Sequence, residues 1–204
     1  MLSQIRPAIV MLVLFSVLTG LAYPFAVWAI AQVVAPSQAN GSLITLKDKV
    51  VGSSLIGQNF TSDKYFHARP SATQTQDPAH PDDPSKTVDA PYNAANSVGS
   101  NYGATSQKLI DRVKADVDAK RAAGITGPIP ADAVTTSASG LDPDISPEYA
   151  LAQVAAVAKA RNLPEDKVRD LVQAHIESRA LHIFGEPRVN VLLLNIGLDG
   201  LSLS

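Results

Sequence analysis

The 204-residue sequence contains no cysteine. This absence does not indicate the compartment of the protein, because chains without cysteine occur in oxidising compartments and in most others. Aromatic residues are scarce, at 5%, so a core must be built mainly from Leu, Ile, Val and Ala. The formal net charge of −2 gives no basic surface of the kind that binds nucleic acid. The sequence contains no internal repeat of the kind that marks a solenoid or a propeller. These absences exclude repeat architectures and recognition of nucleic acid through an excess of positive charge.

Motifs for catalysis and metal binding are also missing. Residues 99–103 hold glycines at both ends but lack the lysine of a phosphate loop, so a turn is predicted there. Asp142, Asp144 and Glu148 resemble a calcium loop only in their number of acids. No two histidines lie three or four residues apart, which predicts core or surface roles rather than a metal site for His67, His80, His175 and His182. We therefore predict neither catalytic nor metal-binding residues.

What the sequence does have is one long apolar stretch without charge, residues 7–31. About 25 residues at roughly 1.5 Å each span about 37 Å, enough to cross a hydrocarbon layer of about 30 Å. A cleaved signal peptide is one alternative, with Ala29 to Ala31 as its cleavage site, but its apolar core would be only about 7–15 residues long. A buried core helix is the other. The length favours a membrane anchor, and we predict an anchor at residues 1–35 followed by one domain at residues 36–204.

The polar and small residues of this stretch predict contact with a partner helix as well as with lipid. Ser16 and Gly20 are small residues four apart, which permits close helix approach. Pro24 frees the carbonyl of Gly20, which then needs a donor such as Thr19, water or a neighbouring helix. Trp28 lies toward the end of the stretch, where such rings favour the lipid–water boundary.

The charges that flank the stretch predict its orientation. Arg6 and the amino terminus precede it, and no further charge occurs before Lys47. Positive charge favours the cytoplasmic side, so we expect a cytoplasmic N-terminus and an extracytoplasmic domain.

The remaining chain predicts an α+β domain with a small sheet and about three helices. Strands are expected at residues 43–46 and 50–51, around a turn, and within residues 53–57 and 65–66. Residues 70–104 are predicted to be a long irregular loop whose charge is about −3, from Asp77, Asp82, Asp83 and Asp89 against Lys86. This acidic loop is either simply solvated or a device that enriches cations.

Helices are expected from Ser106 to Gly124, after Ser146, and from Pro164 onward, since capping residues and apolar spacing recur there. The nearly continuous apolar residues 189–198 are too few to span a membrane as a helix, and we expect a buried central strand. Asn190 and Asn195 within it would then need hydrogen-bond partners.

Several segments together resemble the KdpC family, the small C subunit of the bacterial high-affinity potassium-transporting P-type ATPase. They are Tyr-Phe-His-Ala-Arg-Pro-Ser-Ala at 65–72, Gly-Ser-Asn at 99–101, Ser-Ala-Ser-Gly-Leu-Asp-Pro at 137–143, Gln153, Val-Ala-Lys-Ala-Arg at 157–161 and Gly-Glu-Pro-Arg-Val-Asn-Val at 185–191. The chain departs from the family pattern at Ala68 and Pro164, where proline and a capping hydroxyl are usual. The order of the segments behind one anchor makes the resemblance specific.

The resemblance implies a non-catalytic accessory subunit in the inner membrane that raises the ATP affinity of the pump. Its partners would be a potassium-channel-like subunit, the P-type ATPase catalytic subunit and a small fourth peptide. It would bind no cofactor tightly, because ATP and potassium ions are handled by the complex. Gln153 matches a family glutamine proposed to contact nucleotide.

The expected topology conflicts with direct nucleotide contact, because an extracytoplasmic domain cannot reach cytoplasmic ATP. We therefore expect an allosteric effect through one pump conformation. The alternatives are a cytoplasmic domain that contacts ATP, and an independent membrane-anchored envelope protein. Structural or interface roles are expected for Arg69, Asp142, Arg188, Asn190 and Asn195.

Overall fold

The computed structural model describes residues 2–201. The chain divides into two units, Met1–Ser53 and Ser54–Ser204. The first unit contains a long apolar helix and a hairpin. The second contains four further α-helices, a short 3-10 helix (Ala131–Ala133) and two small sheets. The expected α+β class with one apolar N-terminal helix is confirmed.

The N-terminal helix runs over Ile5–Val34 and is long and apolar enough to cross a membrane. It consists of α1 (Ile5–Val17), a π-helical segment (Leu18–Ala22) and α2 (Tyr23–Val34). None of its residues is buried, so it is not a core helix of this fold. A short helix, α3 (Pro36–Ala39), follows.

The π-helical segment lies directly before Pro24, and the two are physically linked. Pro24 has no N–H, and its ring crowds the carbonyl four residues earlier. The wider turn relieves this crowding, and the N–H of Tyr23 bonds to the carbonyl of Leu18, five residues back. Thr19 is not the donor to the Gly20 carbonyl, because its hydroxyl donates to the carbonyl of Phe15 at 2.6 Å.

The predicted hairpin at the end of the first unit is confirmed. Strand β1 (Leu43–Leu46) pairs antiparallel with β2 (Lys49–Ser53). Lys47 and Asp48 form the turn in the left-handed region, with φ of 48° and 63°.

The predicted irregular loop contains a two-stranded ribbon. Strand β3 (Gln74–Gln76) pairs antiparallel with β4 (Thr87–Asp89). The turn between them is shaped by aspartates: Asp77 accepts from the N–H of Ala79, and Asp83 accepts from the N–H of Ser85. These aspartates thus have a structural use in the turn.

The three predicted helices of the domain are present. They are α4 (Gln107–Ala122), α5 (Pro147–Arg161) and α6 (Glu165–Ala174). The Oγ of Ser146 caps α5 by accepting from the N–H of Tyr149 at 3.0 Å, whereas Ser106 makes no such side-chain bond to α4. Asn162 ends α5 in the left-handed region, and α6 follows after two more residues.

The expected central strand at residues 189–198 is wrong. Only β7 (Arg188–Asn190) is a strand, and α7 (Val191–Leu201) follows it immediately. The chain changes from strand to helix at Asn190, because its Oδ1 accepts from the N–H of Leu193 at 3.1 Å and so caps α7. Strand β7 is central in a sheet of order β5 (Asp144–Ile145), β7, β6 (Ile176–Glu177).

The further strand expected at residues 53–57 and 65–66 is also wrong. Ser53 ends β2, and Phe66 lies in irregular chain although it is fully buried. The main core of the domain lies between α5, α6, α7 and β7, with few aromatic members as expected. It includes Phe66, Ile145, Tyr149, Val154, Val157, Val168, Val172, Val189, Leu194 and Leu198.

Candidate functional site

The central feature of the domain is an irregular stretch, residues 65–73, which we call the central segment. Two amide side chains hold its main chain. Asn195 accepts from the N–H of Phe66 at 2.8 Å and donates to its carbonyl at 3.0 Å. Gln153 does the same for His67, at 2.8 and 3.1 Å. Buried main-chain groups need partners, and here side chains of α5 and α7 replace a neighbouring strand.

One end of the central segment is fixed by Arg161, the last residue of α5. Its guanidinium lies 4.7 Å from the ring centre of Tyr65 and donates to the carbonyl of Lys64 at 2.6 Å. It also pairs with Asp199 of α7 at 2.7 Å. Asp199 in turn accepts from the hydroxyl of Tyr65. Helices α5 and α7 therefore hold the segment at three successive residues.

Further along the segment, Arg69 forms an ion pair with Asp142, with Nη1 and Oδ2 2.8 Å apart. The other carboxylate oxygen of Asp142 accepts from the N–H of Asp144, as in a turn. The hydroxyl of Tyr92 donates to the carbonyl of Arg69 at 2.9 Å. Burial raises the pKa of Tyr92 well above its usual range, so this hydroxyl keeps its proton.

The last residues of the segment are held by the two loops that carry Ala90 and Gly140. Ser71 donates to the carbonyl of Gly140 at 2.7 Å, and Thr73 donates to that of Ala90 at 2.6 Å. Gly140 has φ of +68°, and a Cβ there would lie 2.5 Å from the Cγ2 of Thr73. Only glycine fits this position, because it meets both the conformation and the close approach.

A second ionic group surrounds the start of α7. Arg188 pairs with Asp144 at 3.1 Å and with Glu177 at 2.9 Å, across the strands of the central sheet. Asn190 donates to the carbonyl of Ser54 at 2.9 Å and to Asp144 at 3.3 Å. Desolvation raises the pKa of Asp144, an effect that Arg188 opposes. The structure thus supplies partners for both predicted arginines and both predicted asparagines, while an interface role for them stays a prediction.

Helix α4 contributes a polar stripe that the sequence did not predict. Arg112 pairs with Asp116 at 2.7 Å, and Lys120 donates to the hydroxyl of the fully buried Tyr149 at 2.7 Å. Desolvation lowers the pKa of Lys120 and raises that of Asp116. The spacing of four residues between these side chains was the available signal.

An open cleft of about 760 Å³ lies beside the Arg69–Asp142 pair. Five acidic and two basic side chains line it, which gives a formal charge of −3 from five minus two. This charge disfavours a nucleoside triphosphate, and Gln153 is not part of the lining. The charged lining residues are Arg69, Asp132, Asp142, Asp144, Glu148, Glu186 and Arg188.

The predicted contact residues of the N-terminal helix are all exposed: Ser16, Gly20, Pro24 and Trp28. A Cβ built on Gly20 meets nothing within 4 Å, so this chain gives no packing reason for glycine there. Contact with a partner helix stays a prediction. Among residues 2–201, no group of three histidine, aspartate or glutamate side chains is placed to hold a metal ion.

The structure therefore consists of an α+β domain joined to one apolar helix, an arrangement that fits a single-pass membrane protein. The model of the KdpC family, described as K+-transporting ATPase, c chain, matches residues 5–200. A potassium-transporting ATPase KdpC subunit of Rhodopseudomonas palustris is 61% identical over 199 residues, covering 98% of both chains. One from Methylobacterium nodulans is 58% identical over 202 residues and 99% of both chains. One from Bradyrhizobium diazoefficiens is 59% identical over 199 residues and 98% of both chains.

This chain belongs to the KdpC family.

Proposed function

We propose that this chain is the accessory C subunit of a potassium-transporting ATPase and raises the ATP affinity of the catalytic subunit allosterically. Identity of about 60% over nearly the whole chain to subunits of that name supports the accessory role. The N-terminal helix would anchor the chain in the inner membrane, with the N-terminus in the cytoplasm and the domain outside it. The proposed partners are a potassium-channel-like subunit, the catalytic subunit and a small fourth peptide.

The observation that carries the allosteric proposal is the use of Gln153. Its amide oxygen and nitrogen both bond to the main chain of His67, and the residue is only 8% exposed. Nucleotide contact would require this amide to leave His67 and expose two buried main-chain groups. We propose instead that Gln153 affects ATP affinity by holding the central segment, whose position biases the pump toward one conformation.

The test compares Gln153 with Asn195, which holds the neighbouring residue in the same way. Gln153→Glu and Asn195→Asp each keep an acceptor for the N–H but lose the donor to the carbonyl. If the central segment transmits the effect, both variants raise the KM for ATP of the assembled pump. If Gln153 contacts nucleotide, only the Gln153 variant does so. The amount of chain retained in each purified complex is measured in parallel.

The alternative function is that of a cytoplasmic domain that contacts ATP directly. Labelling of single cysteines distinguishes it from the proposed extracytoplasmic domain. The chain has no cysteine, so each introduced thiol is unique. Ala94→Cys lies in the exposed part of residues 70–104, and Ser3→Cys lies before the apolar helix. We expect an impermeant maleimide to label residue 94 in intact cells and residue 3 only after lysis. The reverse pattern would favour the cytoplasmic domain.

A further inference from the structure

The connection between β6 and β7 forms an ordered hairpin, residues 176–190, whose base belongs to the core. Ile176 lies opposite Val189, which is fully buried, and Glu177 lies opposite Arg188. Farther out, Ala180 and Phe184 exchange two main-chain hydrogen bonds of 2.9 Å. An ion pair between Arg179 and Glu186 lies between these two levels. This hairpin, residues 176–190, which we call the arm, is therefore held by pairing along its length.

The tip of this hairpin is apolar and exposed. Leu181 is 80% exposed, Ile183 72% and Phe184 64%. Three large apolar residues are therefore exposed within four positions of the chain. Large apolar side chains clustered on the surface in this way are typical of interaction sites on soluble domains.

The backbone of the tip is strained in a way that presents these side chains. Leu181 and His182 both lie in the left-handed region, with φ of 52° and 59°. Ile183 N–H closes the turn on the carbonyl of Ala180 at 3.1 Å. Asparagine and glycine suit such positions, whereas leucine does not. The tight hairpin turn accounts for the positive φ angles. The exposed apolar side chains add nothing to the core, and a partner that covers the tip accounts for their exposure.

We propose that the Leu181–Ile183–Phe184 tip inserts into an apolar pocket on another subunit of the potassium-transporting ATPase. This inference rests on the proposed function above. The arm carries Glu177, Arg179, Glu186 and Arg188, whose charges cancel and which pair with one another.

The net charge of the arm favours a protein pocket over a lipid surface as the partner of the tip. Membrane-inserting tips combine apolar side chains with cations that bind anionic headgroups. Here the formal charge of residues 176–190 is zero, from two acids and two bases. An apolar tip surrounded by neutral ion pairs has instead the composition of a protein contact, with buried anchors and a polar rim.

The first experiment compares two exposed apolar side chains in the full-length chain, co-expressed with the other subunits. Phe184→Ser removes an anchor, and Ile110→Ser changes a side chain of α4 that is 52% exposed. Each complex is captured through a tag on the catalytic subunit, and the retained chain is measured over a dilution series. We expect Phe184→Ser to weaken retention by about 10- to 30-fold and Ile110→Ser to leave it unchanged, with equal thermal unfolding of both variants.

The second experiment identifies what covers the tip. A photoreactive amino acid replaces Leu181, and the assembled complex is irradiated in the membrane. A crosslink to another pump subunit supports the proposal, whereas a crosslink to a second copy of this chain or to lipid overturns it. Equal retention of Phe184→Ser and wild type overturns it too and leaves the proposed function standing. If the wild-type chain itself is not retained, the proposed function fails and this inference fails with it.

Discussion

Two helices of this chain are almost purely apolar, yet they have opposite surroundings. The N-terminal helix, Ile5–Val34, has 30 residues and none of them is buried. Helix α7, Val191–Leu201, has 11 residues and buries five of them, including Leu194 and Leu198. Similar composition therefore occurs in a fully unburied helix that fits a membrane span and in a helix of the protein core. Length separates the two, because only the first can cross about 30 Å of hydrocarbon.

The two helices also differ in where a polar side chain finds its hydrogen-bond partner. In the N-terminal helix, Thr19 bonds to Phe15 of its own helix, which needs no other part of the protein. In α7, Asn195 bonds to the main chain of Phe66, 129 residues away in sequence. Asn195 in the core helix thus specifies a tertiary contact, whereas Thr19 in the unburied helix is satisfied within its own helix.

The largest effect is expected where this tertiary contact is removed. Asn195→Leu leaves the N–H and the carbonyl of Phe66 buried without partners, at about 1–3 kcal/mol each. We expect the free energy of unfolding of the domain to fall by about 2–6 kcal/mol in the full-length chain in detergent. Urea unfolding followed by circular dichroism measures it, and the amide of Phe66 should lose protection from hydrogen exchange.

The matched change in the other helix is Thr19→Leu, which removes a hydroxyl that bonds only within its own helix. We expect it to leave the domain's unfolding unchanged. Trp28 is the single tryptophan of the chain and lies in this helix, so its fluorescence follows the helix while the far-ultraviolet signal at high urea follows the domain. A loss of stability in Thr19→Leu as large as in Asn195→Leu would contradict the contrast between the two helices.

Helices with a clear apolar period and a start signal could be predicted from the sequence. Ser146 and Pro147 start α5 as expected, and Pro164 precedes α6. Helix α7 could not be distinguished from a strand by periodicity, because nearly every position is apolar. Asn190 before that run was the missed capping signal.

The candidate site could not be predicted from the sequence as a group of contacts, for a different reason. The residues that hold the central segment were recognisable as individual family positions, but not as one group. Gln153 and His67 are 86 residues apart, and their contact joins a side chain to a main chain. Such a contact leaves no local pattern, since any residue has the same main-chain groups.

A smaller effect tests whether the N-terminal helix meets lipid. Leu14→Arg places a charge inside the apolar helix, Ile5–Val34, where a charged residue disfavours insertion by up to about 2.5–3.5 kcal/mol. We expect a larger fraction of the chain to be extracted from membranes by alkaline carbonate. Ser37→Arg, in α3 beyond the helix, is the control and should remain as resistant as wild type. Equal extraction of both variants would mean that residue 14 does not lie in hydrocarbon.

The smallest of the three effects concerns why α7 is a helix at all. Asn190→Ala removes the cap on the N–H of Leu193 together with the bonds to Ser54 and Asp144, and should cost about 1–2 kcal/mol of unfolding free energy. Asn190→Ser keeps a capping oxygen but loses the donor, so it should recover part of that loss. Hydrogen exchange at Leu193 separates the contributions, because protection there should fall in the alanine variant and return in the serine variant. If neither variant loses protection at Leu193, the start of α7 is set by packing of its apolar residues and not by the cap.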